Sequence, residues 1–348
     1  MKPKVVLHFN STINHNNQIY CGLELLRKQG LIDLEYKYAF KSLYVSFTLM
    51  EVNGMRILFD LQDNSKINPN HYDDCDFMVK RMLLATDVEK FPKLVPFGLN
   101  YPVFSSNKFM LQVFLKNRKL LPFSLRYHRT LSRLFNINES LYNCDYRKFG
   151  KIATKKKAVI FATRLWNPER GNEDWKKDER YHMNEERIGL VRQMKQKFGN
   201  HFYGGIQAEP LSREKCPDIL LSKKLTDKKY YLKTLRRSSI GICNKGLEDS
   251  IGWKFAEYLS DSLAVVTNPI DRYVNHGNLK NGEHFLEYRT YDECLLQVER
   301  LLEDDSLRQR ISDNNKAYYR DYLHPASKFR EIFRSIGVEL PQSKIESI

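Results

Sequence analysis

The sequence predicts an α/β fold in two domains. Its 348 residues suit two domains of ordinary size. Strands and helices alternate from residue 4 onward, and the alternation restarts near Ala158, as it does where a second parallel sheet begins. Hydrophobic residues make up 42% and charged residues 28% of the chain, which is typical of a globular protein and not of a disordered one. We therefore expect one domain over residues 1–150, a second over 151–325, and a C-terminal helix and tail over 326–348.

The first domain opens with a strand, a polar loop and a helix. Residues 4–9 form a short apolar run typical of a strand, and residues 10–18 are polar. Residues 19–29 have the periodicity of an amphipathic helix, which ends at Gly30, a common helix stop. The polar loop should lie at the end of the first strand, where it could hold an acceptor substrate.

A hairpin should follow the first helix. The dipeptide Asn53-Gly54 joins two strand-like segments, residues 43–52 and 55–61, and favours a two-residue turn. Residues 107–150 are rich in Lys, Arg and Tyr and only weakly periodic, which suits the edge of a domain. The hairpin interrupts the strand-helix alternation of the first half.

The second domain reads as a parallel, doubly wound sheet. Its predicted strands are residues 158–163, 201–204, 239–243 and 263–267. Its predicted helices are residues 184–198, 227–237, 252–260, 291–302 and 306–322. Because each strand is followed by a helix at short spacing, the strands should run parallel with helices on both faces.

The charge balance indicates an anionic partner. Lys and Arg number 57 and Asp and Glu 42, which gives a net charge of +15. Such a surplus attracts nucleic acid, a membrane surface or phosphorylated substrates. Zinc-finger and RNP signatures are absent from the sequence, and the basic runs are short, so we expect no nucleic-acid partner.

The location of the protein is predicted from its N-terminus and its cysteines. The first residues lack the apolar core of a secretory signal, and no segment has the roughly 18–20 apolar residues of a membrane span. The six cysteines are dispersed and form no CxxC pair, which argues against a zinc site or a disulfide framework. We expect a cytoplasmic protein, with peripheral contact to the inner face of the membrane left open.

One segment carries most of the functional signal. Residues 241–268 run strand, polar loop, helix and strand, and the loop occupies residues 245–252. Open α/β sheets bind ligands at the carboxyl ends of their strands, where the free N–H groups of helix N-termini attract phosphate. This loop is therefore the predicted phosphate-binding place.

The same segment resembles the C-terminal domain of GT-B glycosyltransferases, in particular the group-1-like, exostosin-like and spore-coat-like branches. The resemblance covers roughly residues 158–325 and rests on an acid in the loop and a second acid in the next helix. Asp249 and Glu257 stand at these positions, with Glu248 as an alternative first acid. The resemblance implies two Rossmann-like domains facing a cleft, with a nucleotide-sugar donor bound by the second.

The resemblance also implies roles for single residues. Glu257 would accept hydrogen bonds from the ribose hydroxyls, Lys254 would face the diphosphate, and Arg164 would stabilise the leaving diphosphate. The full predicted donor set is Arg164, Gly204, Gly205, Lys245, Glu248, Asp249, Ser250, Lys254, Glu257 and Asn268.

Each of these residues also has a purely structural interpretation. Asp249 or Ser250 could cap a surface helix, on which Glu257 would be a solvated acid. Arg164 could form an interdomain salt bridge, and the two glycines could form an ordinary turn. Arg236 and Arg237 are further cationic candidates, or simply the basic end of a helix.

The first domain offers candidates for the catalytic base. Asp60 and Asp63 follow the second hairpin strand, and His15 lies in the predicted acceptor loop. A base is needed if the reaction inverts the anomeric centre, since it takes the proton of the attacking hydroxyl. Each of these residues could instead be a turn or capping residue.

We expect neither a metal nor a cofactor. Asp74-Cys75-Asp76 has the D-x-D form that holds a divalent ion in metal-dependent glycosyltransferases. Nothing else in the first half resembles that fold, so we interpret the two acids as turn or cap residues.

The sequence thus predicts sugar transfer from a nucleotide sugar to a hydroxyl of a surface glycan or glycolipid, such as lipopolysaccharide or capsule. Two alternatives are a basic nucleic-acid-associated protein without catalysis and an inactive GT-B-like scaffold. The sequence leaves open the sugar, the nucleotide, the acceptor, the stereochemical outcome and the oligomeric state.

Overall fold

The chain folds into two compact units. The computed structural model describes residues 1–8, 13–37, 47–105, 144–151 and 155–342. The first unit contains Met1–Lys148, Arg272–Asn278 and Arg320–Ile348. The second unit contains Phe149–Asp271 and Leu279–Tyr319. The predicted α/β class is confirmed, and the cleft between the domains stays a prediction.

Two segments belong to a different unit from the one the sequence assigns. Residues 272–278 and 320–325 fall in the predicted second domain, but both lie in the first unit. The N–H of Ala85 donates to the carbonyl of Arg272 at 3.0 Å. The side chain of Gln18 donates to the carbonyl of Leu323 at 3.2 Å. These long-range contacts join segments whose local sequence gives no sign of the pairing.

The first unit is built on a mixed six-stranded sheet in the order β2-β1-β3-β4-β5-β6. Strand β3 runs antiparallel to β1 and β4, whereas the pairs β1/β2, β4/β5 and β5/β6 are parallel. A separate short pair, β7 with β8, is also parallel. The strands are β1 (Lys4–His8), β2 (Asp33–Lys37), β3 (Phe47–Val52), β4 (Met55–Asp60), β5 (Phe77–Lys80), β6 (Leu94–Pro96), β7 (Val103–Phe104) and β8 (Cys144–Asp145).

The predicted hairpin is confirmed and accounts for the antiparallel strand. Asn53 and Gly54 connect β3 to β4 with φ of 50° and 91°, the left-handed conformation that a type I′ turn requires at both positions. Residues 43–46 of the predicted first hairpin strand, and residues 107–143 of the weakly periodic stretch, lie outside the described residues.

The first helix begins earlier than predicted. Helix α1 covers Ile13–Lys28, so most of the predicted polar loop is helical. The side chains of Asn16, Asn17 and Gln18 are buried in the unit. Hydrophobic periodicity cannot reveal this, because the buried side chains of the first turns are polar. The other helices of the first unit are α2 (Pro69–Asp73), α3 (Ala85–Val88) and α10 (Pro325–Ser335).

The second unit is the predicted parallel sheet, in the order β10-β9-β11-β12-β13. All four pairings are parallel, and the order is that of a doubly wound fold. Strand β13 was not predicted, because it has only three residues. The strands are β9 (Lys156–Thr163), β10 (Phe202–Ile206), β11 (Ser238–Cys243), β12 (Ala264–Thr267) and β13 (Phe285–Glu287).

Helices cover this sheet and close its core. Val159, Ile240 and Val266 of the central strands are fully buried against Val191 and Val298 of the helices. The helices are α4 (Asp174–Phe198), α5 (Pro210–Lys215), α6 (Lys228–Arg237), α7 (Trp253–Ser260), α8 (Tyr291–Glu303) and α9 (Asp305–Tyr318).

Helix α4 starts ten residues before its predicted beginning. Its first turns are polar and largely exposed, and Met183 is its first buried residue. A helix with two exposed turns of charged residues resembles a loop in the sequence. In the described part of the chain, no helix has the length and apolar character of a membrane span.

Candidate active site

Three predicted site residues meet at one edge of the second sheet. Arg164 directly follows β9, Lys245 lies two residues after β11, and Asn268 directly follows β12. Because the strands are parallel, their carboxyl ends lie at the same edge. The side-chain oxygen of Asn268 accepts a hydrogen bond from the N–H of Lys245 at 2.9 Å and joins two of the loops.

A buried arginine, which was not among the predicted site residues, forms hydrogen bonds with two of the loops at this edge. Arg187 of α4 is 6% exposed. Its guanidinium donates to the carbonyl of Arg164 at 2.7 Å and to the carbonyl of Lys245 at 3.3 Å. Arg187 lies four residues after Met183 and four before Val191, on the buried face of α4. In the sequence, this role was indicated by an arginine at the spacing of the apolar residues that face the core from a helix.

The edge carries a concentration of positive charge. Burial, together with the charges of Arg187 and Arg164, lowers the pKa of Lys254 to about 8, against the raising effect of Glu257. Burial, with a contribution from Arg164, lowers the pKa of Arg187 to about 10. Lys254 forms no ion pair with any described residue. An anion bound here would relieve the repulsion among these three cations.

Arg164 is held in a defined orientation. Its guanidinium lies over the ring of Trp166 at 3.9 Å, a cation–π contact. The backbone of Trp166 is fixed in turn by Asn184 of α4, which accepts from its N–H at 2.8 Å and donates to its carbonyl at 2.7 Å. Asn184, a second residue that the sequence analysis missed, therefore holds the segment after β9.

The loop after β11 has an unusual backbone. Glu248 and Asp249 both adopt the left-handed conformation, with φ of 58° and 56°, which costs non-glycine residues of the order of 1 kcal/mol each. The carboxylate of Glu179 accepts from the N–H of Glu248 and supports the bend. Lys245 pairs with Asp249 at 2.7 Å. Strained loops of this kind are common at ligand sites.

The helix after this loop is not capped as the plainer interpretation suggests. The residue before α7 is Gly252, so neither Asp249 nor Ser250 is the N-cap, and no side chain caps the first turn. Ser250 is instead buried, and its carbonyl accepts from the N–H of Gly246 at 2.7 Å. The uncapped first turn lies next to Lys254.

Glu257 is not a solvated helical acid. Its carboxylate is 5% exposed, and one oxygen accepts from the ammonium of Lys228 at 2.5 Å. The other oxygen accepts from the hydroxyl of Tyr231 at 2.8 Å. Glu257 therefore joins α7 to α6, and a contact with a ribose stays a prediction.

The two glycines after Tyr203 do not form a turn. Gly204 and Gly205 lie inside β10, opposite Phe161 and Ala162 of β9. A Cβ on Gly204 would lie 2.5 Å from the carbonyl oxygen of Phe161, and one on Gly205 would lie 2.7 Å from that of Ile219. Close packing of the chain upon itself thus explains both glycines.

The other cationic candidates lie at the opposite edge. Arg236 and Arg237 end α6, directly before β11 begins. Arg236 lies close enough to Asp261 to lower the pKa of that carboxyl. Neither arginine is therefore placed at the carboxyl ends of the strands.

Asp60 is a poor candidate for a base because it is inaccessible. It is fully buried, pairs with Lys80 at 2.7 Å and accepts from the N–H of Gln62 at 3.1 Å. Asp63 is half exposed and pairs with Arg81. His15 lies in α1, and its side chain lies outside the described residues.

The D-x-D acids have structural partners. Arg56 donates to the two carboxylate oxygens of Asp74 at 2.8 and 2.9 Å, and its N–H donates to Asp76 at 2.7 Å. Both acids therefore hold the segment between α2 and β5 against β4. Among the residues that the structure describes, no group of three His, Cys, Asp or Glu side chains could hold a metal ion.

Comparison with known proteins gives matches among solved structures alone. No protein-family model matches the chain, and no curated protein does. An alpha-glucosyltransferase in complex with UDP-glucose and DNA containing an abasic site is 11% identical, with 97% of this chain and 100% of that one covered and a TM-score of 0.46.

Two further solved structures cover less of this chain. The C-terminal domain of a glycosyl transferase group 1 family protein (LpcC) from Francisella tularensis is 13% identical, covers 51% of this chain and 91% of its own, and has a TM-score of 0.35. WaaG, a glycosyltransferase involved in lipopolysaccharide biosynthesis, is 11% identical, covers 73% of this chain and 62% of its own, and has a TM-score of 0.37. All three of these solved structures are glycosyltransferases.

Proposed function

We propose that the chain is a glycosyltransferase that moves a sugar from a nucleotide-sugar donor to a hydroxyl of an acceptor. The observation that carries the proposal is the cluster of Arg164, Arg187 and Lys254 at the carboxyl edge of the second sheet. Arg164 lowers the pKa of Arg187, and both arginines lower the pKa of Lys254, so the site gains most from a ligand with two or more negative charges. The diphosphate of a nucleotide sugar is such a ligand.

The cluster also suits the chemistry of transfer. The bond between the anomeric carbon and the phosphate oxygen breaks, and its electron pair leaves with the diphosphate. The acceptor oxygen bonds to the anomeric carbon and gives up its proton. Arg164, whose guanidinium lies over the ring of Trp166, would direct its planar fork at the phosphate oxygens as their charge grows. Asp63 and His15 remain the proposed bases.

The acceptor, the location and the metal requirement are proposed from the charge and the cysteines of the chain. A surface glycan or glycolipid acceptor fits the net charge of +15, which attracts anionic glycans and lipid surfaces. A cytoplasmic site of action fits the six free, buried cysteines, and peripheral membrane contact fits the basic charge. Metal independence follows from the cluster itself, because basic side chains and helix N–H groups would balance the diphosphate.

The first experiment measures ligand binding. A thermal-shift panel of nucleoside diphosphates and CMP should give stabilisation of about 2.7 kcal/mol for the cognate ligand at roughly 100 times its Kd. Calorimetry then compares the parent with Arg164→Ala, and with Arg213→Ala as a control that removes an exposed arginine of α5.

Arg164→Ala should weaken nucleotide binding by about 10- to 100-fold, as expected for loss of a charge-assisted hydrogen bond worth about 1.5–3 kcal/mol. Turnover should fall further than affinity, because the charge on the diphosphate grows as the bond breaks. Arg213→Ala should bind and turn over like the parent.

Three results would contradict parts of the proposal. Parental binding and turnover in Arg164→Ala would place the donor site elsewhere. Loss of turnover in EDTA, restored by manganese, would make Asp74 and Asp76 metal ligands. Strongly salt-dependent binding to DNA or RNA without donor turnover would favour the nucleic-acid-associated alternative.

A further inference from the structure

A second concave site lies at the opposite edge of the second sheet. A pocket of about 310 Å³ is formed by the amino ends of β9 and β11, the residues before β12, and one face of α9. Its volume is at the lower end of the range for small-molecule sites. Strand β9 has eight residues, so at about 3.3 Å per residue the pocket lies roughly 26 Å from the candidate active site.

The lining of this pocket is strongly basic. Two of its side chains are acidic, Asp261 and Asp313, and six are basic: Lys151, Lys155, Lys156, Lys157, Arg308 and Lys316.

Three of the six cations already have partners. Lys157 and Arg308 both pair with Asp305 at 2.6 Å. Lys155 donates to the carbonyls of Asp261 at 2.7 Å and Ser238 at 3.2 Å. Lys151, Lys156 and Lys316 are exposed and form no ion pair with any residue that the structure describes. The pocket therefore has three lysines that lack an ion-pair partner among the described residues.

Buried polar atoms without partners lie beneath these charges. Ser239 is 6% exposed and Asp261 is 2% exposed. The hydroxyl of Ser239 and one carboxyl oxygen of Asp261 find no hydrogen-bond partner among the described residues. A buried polar atom without a partner costs roughly 1–3 kcal/mol, which a ligand with matching groups would offset.

The acid in the floor does not cancel the lysines. Burial raises the pKa of Asp261 to about 7, although Arg236 and Lys155 lower it. Burial therefore favours the neutral form of this carboxyl. The same burial lowers the pKa of Lys155 to about 8.

We propose that this pocket is a second anion site, which binds a phosphate-bearing group such as a phosphomonoester. Lysine ammonium groups act as point charges toward phosphate, and the hydroxyl of Ser239 would supply a directed donor. The pocket is concave and small, so it takes a single head group. The phosphate comes from a soluble phosphorylated sugar or from a lipid head group. The site is separate from the donor cluster and does not depend on the proposed sugar transfer.

The test compares two pairs of lysines. Lys156→Ala/Lys316→Ala removes two of the three lysines that lack an ion-pair partner among the described residues, and both side chains are exposed, so the fold should survive. The matched control is Lys229→Ala/Lys233→Ala, two exposed lysines of α6 that form no ion pair with a described residue. Arg164→Ala serves as a second control, because it changes the donor cluster alone.

The probes distinguish the source of the phosphate. Calorimetry uses glycerol 3-phosphate, and sedimentation uses phosphatidylcholine vesicles with and without phosphatidic acid, a lipid whose head group is a phosphomonoester. Saturable binding of glycerol 3-phosphate that falls at least tenfold in the pocket pair, and less than twofold in both controls, supports the proposal with a soluble ligand. Binding to the anionic vesicles alone, with the same dependence on the pocket pair, supports it with a lipid ligand.

Two outcomes would overturn the proposal. In the first, the pocket pair binds both probes as the parent does, or neither probe binds saturably to the parent. In the second, short duplex DNA binds more tightly than either probe and is lost in the pocket pair, which would assign the pocket to nucleic acid.

Discussion

Two lysine–carboxylate pairs lie in the interior of the protein. Lys80 and Asp60 occupy the first unit, and Lys228 and Glu257 the second, with every side chain at most 5% exposed. Moving two charges out of water costs several kcal/mol each, which the attraction between them must offset. Such a pair contributes little net stability, but loss of one partner leaves a buried charge. Both acids were predicted to act on substrates. Because both are buried and paired with a lysine, they belong to the packed interior of the protein.

The main effect of Glu257→Gln should therefore be a lower free energy of unfolding, not a change in ligand affinity. The substitution leaves the charge of Lys228 without an opposite partner, which typically costs about 3–5 kcal/mol. We expect a loss of about 3 kcal/mol, because the amide can still accept one hydrogen bond. Urea unfolding by tryptophan fluorescence reports on this, since all three tryptophans lie in the second unit.

The control for this prediction is the apolar pair Lys228→Met/Glu257→Leu, which should recover at least half of the loss. If Glu257→Gln unfolds like the parent and only its nucleotide affinity falls, the carboxylate acts on the ribose instead.

His324 should make the first unit sensitive to acid. Burial, with a smaller contribution from Arg330, lowers its pKa to about 4, whereas an unfolded histidine titrates near 6.5. Between pH 4 and 6.5 the unfolded chain binds the extra proton, so stability is complete above pH 6.5 and is lost as the pH falls toward 4. The expected loss between pH 7 and pH 5 is about 2 kcal/mol.

His324→Gln removes this titration, so its stability should depend less on pH over that range. His276, whose pKa burial also lowers to about 4, keeps its own contribution in the variant. Calorimetric melting at several pH values measures the difference. If the melting temperatures of variant and parent depend on pH in the same way, His324 is accessible to protons in the folded state.

At the scale of elements, helix α1 depends on a glycine. Replacing a glycine in a helix by alanine usually gains up to about 1 kcal/mol. At Gly22, however, the added Cβ would lie 2.3 Å from the ring of Phe329 and 2.6 Å from the carbonyl oxygen of Pro325. Backbone cannot move aside as a side chain can. Gly22→Ala should therefore lower stability by about 1–3 kcal/mol, as overpacking does.

Gly189→Ala in α4 is the matched control. The three atoms nearest to its Cβ would all belong to the side chain of Tyr291, the first at 2.9 Å, and that side chain is partly exposed. Its melting temperature should fall less than that of Gly22→Ala. An equal or smaller loss in Gly22→Ala would mean that α10 moves freely over α1.

The elements show what a sequence can and cannot reveal. The hairpin was predictable because Asn53-Gly54 fixes the turn locally. Strands β9, β11 and β12 were predictable because their buried segments are apolar. The starts of α1 and α4 were not, since the polar residues Asn16 to Gln18 are buried and the stretch from Asp174 to His182 contains no buried residue, which breaks the pattern on which helix prediction rests. Arg187 was missed because its role depends on two loops that are distant in the chain.

At the scale of the whole molecule, sequence order and spatial order differ. Alternation of strands and helices indicated two α/β parts, and the C-terminal segment Arg320–Ile348 belongs to the first one. In that segment Phe329, Ile332 and Phe333 are fully buried. Their apolar spacing predicts an amphipathic helix, whereas the surface that receives it is set by α1, some 300 residues earlier in the sequence.

Phe329→Ala should therefore destabilise the N-terminal elements β1 and α1. Loss of a buried phenylalanine costs about 3–5 kcal/mol. Hydrogen exchange followed by mass spectrometry should show faster exchange in β1 and α1, and unchanged exchange in β9 and β11. Leu296→Ala, at a position that is 59% exposed in the second unit, is the control and should change neither. Faster exchange confined to residues near 329 would show that α10 contributes little to the first unit.

The position of α10 has a consequence for biosynthesis. A ribosome that adds roughly 5–20 residues per second reaches this helix roughly 15–60 s after it has made α1. The sequence of the second unit is complete before then, because that unit ends at Tyr319. The part of the protein that is made first is thus the last to be finished. During that interval the apolar face of α1 around Gly22 lacks its partner, which makes the nascent chain a natural client for chaperones that shield exposed hydrophobic surface.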